Sequence, residues 1–130
     1  MKINEMSRIA YEYAEKQGFH KRDMNLGERL MLVVSELSEA LEADREGHRS
    51  PAVITVDDPQ MKGIDPFSDK KAWKETYQQL FRGTVEEELA DAMIRIGDIA
   101  GIYGIDLDWH IRAKMAYNAT RPYLHGKNYG

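Results

Sequence analysis

Two stretches hold the residues whose types and spacing could do chemistry: SELSEALEADR, 35–45, and VEEELADAMIRIGD, 85–98. Each carries a pair of acids three residues apart, Glu36 with Glu39 and Glu88 with Asp91. On a helix these positions share a face, and exposed like charges there repel by only about 0.2–0.5 kcal/mol. Apolar neighbours surround both pairs: Leu37, Ala40 and Leu41 in the first, Leu89, Ala92 and Met93 in the second. A carboxylate beside a core is costlier, unless a cation or a hydrogen-bond donor compensates it. Brought together from two facing helices, Glu36, Glu39, Glu88 and Asp91 form an oxygen-only donor set for a hard divalent cation, Mg²⁺ or alternatively Mn²⁺. Mg²⁺ keeps several waters and commonly shares its shell with substrate phosphates. No His stands three residues after any of these acids, so the Glu-x-x-His pairs of di-iron bundles are missing. The plain alternative is a solvated helix face, and Glu12 and Glu15, at the same spacing, read that way.

A second group lies near the C-terminal end, in KMAYNATRPYLHGKNYG. Lys114, Asn118 and Arg121 are spaced i, i+4 and i+7, so they share one side of a helix. Two cations with an amide suit phosphate and sugar hydroxyls. His125 and Lys127 add positive potential just beyond. Cations late in a helix also complement the helix dipole with no ligand at all.

The elements that must position these groups are helical. Apolar residues at 3–4 spacing predict helices from about Ile3 to Lys16, Leu26 to Glu46, Val85 to Tyr103, and from near Asp106 or Asp108 to Pro122. In the second, Leu26, Leu30, Val33, Leu37, Ala40 and Leu41 form the expected core stripe, with both acids on its flank. Asn25 with Glu28, and Thr84 with Glu87, have the spacing of capping boxes. Gly18, Gly47 and Gly104 mark three helix ends. Between the two acidic helices lies an insert of about 47–83 whose prolines, glycines and acids predict a loop. VITV, 53–56, could be extended within it, and Lys70 to Phe81 could be one more short helix. Insertions this long are often lids or binding loops. The expectation is a single all-α domain, 1–130, with a four-helix-bundle-like core.

At 130 residues, 42% hydrophobic and 31% charged, the chain fits one globular domain. A net charge of −4 lacks the basic footprint a general nucleic-acid binder needs. The chain contains no cysteine, which removes disulfides and thiolate metal sites. No apolar run approaches the ~18–20 residues of a membrane span, and MKINEMSRIAYEYAEK has no signal-peptide core. A cytoplasmic location is the expectation.

The motifs in order, Glu36-x-x-Glu39, then Glu88-x-x-Asp91, then Lys114-x-x-x-Asn118-x-x-Arg121-Pro122 and His125-Gly126-Lys127, resemble the MazG-like nucleotide pyrophosphohydrolases of the all-α NTP pyrophosphatase superfamily. The resemblance covers about residues 19–46 and 84–127. It implies hydrolysis of a nucleoside triphosphate between the α and β phosphates, releasing a monophosphate and pyrophosphate. It implies that Glu36, Glu39, Glu88 and Asp91 hold Mg²⁺, and that one of these glutamates or its surroundings activates water. Lys114, Asn118 and Arg121 would hold phosphates or sugar, and His20, after Phe19, would contact substrate as in related dCTP pyrophosphatases. Family members form dimers or tetramers, so a homodimer or homotetramer is expected. Three departures matter. The insert is longer than in compact members. Arg95 stands where dCTP-specific relatives carry a base-contacting Tyr, which speaks against dCTP. Asp98 is then a partner of Arg95 or an additional ligand. The competing function is a nucleotide-binding regulatory or oligomerisation module with little turnover.

Overall fold

The computed structural model describes residues 1–51 and 69–123. VITV and the rest of residues 52–68, together with His125 and Lys127, lie outside the described residues. The protein is all-α. Its elements are α1 (Ile3–Lys16), α2 (Leu26–Arg45), α3 (Lys70–Leu80), α4 (Val85–Tyr103) and α5 (Leu107–Asn118), with no strand among the described residues. None of the helices is long and apolar enough to cross a membrane.

Local chemistry sets the helix ends. Asp69 starts α3 by accepting from the N–H of Ala72 at 3.1 Å, and Asp106 starts α5 by accepting from Trp109 at 3.0 Å. Each satisfies an N–H with no partner inside its helix. At the end of α2, Gly47 adopts φ 73°, and the His48 N–H reaches back to the Ala43 carbonyl at 2.8 Å. Left-handed backbone suits glycine best, and the six-residue return caps otherwise orphaned carbonyls.

Thr84 caps α4, its Oγ1 accepting from the Glu87 N–H at 3.1 Å. The expected capping box is modified. The Thr84 N–H already donates to the Phe81 carbonyl at 3.3 Å, so the Glu87 carboxylate instead accepts from the Gly83 N–H at 2.9 Å.

The chain divides into two compact units, residues 1–26 with 94–130, and residues 27–93. In the first, small residues bring α1 onto the C-terminal part of α4. Ser7 donates to the Gly97 carbonyl at 2.6 Å. A Cβ on Gly101 would lie 2.6 Å from the Cβ of Tyr11, well inside van der Waals contact. Asn4 ties α1 to the start of α5, donating to Asp106 at 2.8 Å and accepting from the Asp108 N–H at 3.0 Å. The second unit contains α3, nearly all of α2 and the first turns of α4.

Candidate metal centre

Within the second unit the buried row of α2 is Val33, Glu36, Ala40 and Ala43. That row differs from the expected stripe. Glu36 is 8% exposed, whereas Leu37 is 47% and Leu41 51% exposed. Likewise on α4, Thr84, Glu88 and Ala92 are buried while Leu89 and Met93 are half exposed. Glu36 and Glu88 therefore share the inward face with Val33, Ala40 and Ala92, while the large aliphatics flank it, which apolar periodicity alone does not imply. Burying carboxylates while leaving leucines half open runs against hydrophobic burial and ion solvation together. A fold tolerates that where the acids have a task.

The acids converge. One carboxylate oxygen each from Glu36, Glu88 and Asp91 lie within 4.8 Å of one another, close enough to share one cation. Glu39 is exposed and outside this tight group, but it lines the same cleft. Glu88, only 9% exposed, has one carboxylate oxygen fully buried with no hydrogen-bond partner among the described residues. Burial, followed by hydrogen bonding with Glu39 and Glu36 and the charges of Glu39 and Asp91, pushes the Glu88 carboxyl up to about 7. Buried polar oxygens are almost always satisfied, and the cluster of Glu36, Glu88 and Asp91 could hold a metal ion. The donor set, carboxylate oxygens only, fits Mg²⁺ or Mn²⁺.

The acids face α3 across an open cleft of about 630 Å³. Trp73, Tyr77 and Phe81 pack on one another, with ring centroids 5.4–6.2 Å apart. Burial, then the hydrogen bond to Glu87, raises the Tyr77 hydroxyl well above its ordinary value. Glu87 lies in the first turn of α4. On the outer side of that turn, Glu86 takes the Ser50 N–H at 3.1 Å and Arg49 Nε at 3.0 Å. The Ser50 contact, with Arg49 assisting, lowers the Glu86 carboxyl to about 2.

The remaining expected site residues fall in the first unit. His20 bridges two acids, Nδ1 to Glu15 at 2.5 Å and Nε2 to Asp98 at 2.7 Å, with Tyr11 against its ring. Glu15 is thus not merely solvated, and Asp98 serves His20. Lys114 Nζ and the Arg121 guanidinium both lie over the Tyr117 ring, 4.9 and 5.8 Å from its centroid. Asn118 beside them has its side-chain oxygen buried and unpartnered among the described residues. Arg95 is exposed on α4.

No family model, curated protein or solved structure matches this chain. The residues themselves carry the functional reading.

Sequence reasoning expected the helix of α3 but missed that Lys74, Gln78 and Arg82 line the cleft. The aromatics at 73, 77 and 81 recur every fourth residue, as do Lys74, Gln78 and Arg82, and that double row was the available signal.

Proposed function

We propose that this protein is a Mg²⁺-dependent nucleoside triphosphate pyrophosphohydrolase, cleaving a ribo- or deoxyribonucleotide to its monophosphate and pyrophosphate. The observation that carries the proposal is the buried, unpartnered oxygen of Glu88 beside Glu36 and Asp91. The reaction type comes from the resemblance to the MazG-like family. Glu36, Glu88 and Asp91 would hold the cation, which would supply positive charge to neutralise the transferred phosphate group. Glu39, in the cleft but outside the tight cluster, orients the attacking water and takes its proton. The water oxygen joins phosphorus as the bridging oxygen departs with the leaving phosphate. Lys114, Asn118, Arg121 and Arg95 are carried over as phosphate, sugar or base contacts. His20 would have to release Glu15 or Asp98 to serve substrate, since both ring nitrogens are engaged.

A homodimer or homotetramer goes with this reading. Leu30, Val34, Leu37 and Leu41 are half exposed along α2, and their 4-3-4 spacing is that of a helix-pairing seam. A cytoplasmic location beside the nucleotide pool, and a role in clearing surplus or non-standard nucleotides, follow from the same reading.

The test is a panel of nucleoside triphosphates with Mg²⁺, reading pyrophosphate and monophosphate, with EDTA as control. Metal-dependent pyrophosphate from at least one nucleotide is expected. Monophosphate absent across the panel from folded protein would overturn the activity and favour a binding module.

A further inference from the structure

We propose that Lys74 and Arg82 bind the polyphosphate chain of a nucleotide that enters the acid cleft as its divalent-metal complex. The inference rests on the metal reading above and names the wall of the same cleft that takes the anion.

The cleft is electrically two-sided. One side carries Glu36, Glu39, Glu88 and Asp91; Lys74 and Arg82 line it as well. Among the described residues neither cation is hydrogen-bonded or ion-paired. That distinguishes them from Arg49, which sits 3.0 Å from the Glu86 carboxylate. Cations whose purpose was to neutralise the acids would close onto them, because contact at salt-bridge distance strengthens the attraction. Left apart, they disfavour a bare dication and leave space for an anion between themselves and the metal. A metal–triphosphate complex is a cation inside a net anion. Its metal suits the carboxylates and its outer phosphate oxygens suit an ammonium and a guanidinium.

The wall is held in place rather than free. Lys74, Gln78 and Arg82 follow one another at four-residue spacing, so they run along one side of α3 and its exit. The neighbouring row, Trp73, Tyr77 and Phe81, packs on itself. That packing orders the α3 side of the cleft before the ligand arrives, which lowers the entropy cost of binding. Its volume of about 630 Å³ falls within the roughly 300–1,000 Å³ of small-molecule sites.

The experiment compares two probes on the full-length protein: Mn²⁺ alone, followed by electron paramagnetic resonance, and Mg²⁺–tripolyphosphate, followed by calorimetry. The double variant Lys74→Gln with Arg82→Gln should keep its helical circular dichroism and bind Mn²⁺ as tightly as the parent or more so. It should bind Mg²⁺–tripolyphosphate at least tenfold more weakly, with a shallower salt dependence. The charge-preserving Lys74→Arg should retain most of the affinity, a rescue that loss of packing would not show. Unchanged tripolyphosphate affinity in the double variant overturns the inference. Failure of the parent to bind Mn²⁺ at all overturns the metal reading beneath it, and the two failures are distinguishable because the probes differ.

Discussion

Two regions of this molecule gather carboxylates around a partly buried centre, and they resolve the charge in opposite ways. Around His20 the account closes within the chain, because Glu15 and Asp98 grip opposite ring nitrogens. Burial lowers the imidazole pKa, but the two hydrogen bonds and charges outweigh it, and the net shift is upward. In the acid cleft one buried oxygen of Glu88 has no hydrogen-bond partner among the described residues, and its carboxyl is pushed up to about 7. A carboxylate answered from its own chain serves the fold. One without such an answer in a cleft, as here, could hold a metal ion with its neighbours. The contrast separates a structural clamp from a candidate ligand site, although both hold acids near other ionisable groups.

The largest expected effect tests that separation on turnover. Replacing Glu88 by Gln should lower metal-dependent pyrophosphate release by about 10²–10³-fold, the scale of losing one well-placed transition-state group. Replacing His20 by Gln should change it by less than tenfold. Equal losses in both variants would erase the distinction. The next effect is on stability. His20 has its folded pKa above 6.5, so its contribution is complete below that value and is lost as pH rises through the folded pKa. His20→Ala should therefore destabilise by roughly 1–3 kcal/mol at pH 6 and by clearly less at pH 9, as read by urea unfolding.

The cleft should respond to pH in the opposite functional sense. With the Glu88 carboxyl at about 7, protons compete with metal, so Mn²⁺ affinity should fall by about tenfold per pH unit below neutrality. An affinity constant from pH 5 to 8 would contradict it. The smallest expected effect is on the metal-free protein. Because the folded pKa of Glu88 exceeds the ordinary 4.5, the folded state holds the proton longer than the unfolded one. Stability therefore falls as pH rises from about 4.5 to about 7 and then levels off. Glu88→Gln should remove that loss and raise the metal-free melting temperature at pH 8 by roughly 4 °C, about 1 kcal/mol.

How much of this was legible in the sequence depended on how local the signal was. Ile3–Lys16 and Val85–Tyr103 fall where periodicity and the flanking residues predicted them, and α2 ends at Arg45, one residue short of the expectation. Gly47, Asp106 and Thr84 act within a few residues of themselves, so their types suffice. The facing of α2 was legible only in part, since Val33 and Ala40 of the expected stripe are buried. A periodicity argument assumes that Leu37 and Leu41 point inward, whereas the structure buries Glu36 instead. Only contacts between helices reveal that inversion. The pairing of His20 with Asp98, 78 residues apart, had no local sign either. The four candidate acids were legible as two pairs, but not that Glu39 stands outside the tight group that Glu36, Glu88 and Asp91 form. Side-chain reach decides that, and helical spacing does not encode it.

The most direct measurement of the central claim is a crystal structure with Mn²⁺ at pH 8, read by anomalous scattering at the manganese edge. A peak bounded by the carboxylates of Glu36, Glu88 and Asp91, and lost in Glu88→Gln, is the expected result. Saturating Mn²⁺ with no peak at these acids would show that the buried oxygen of Glu88 awaits no cation, and the metal centre would fall with it.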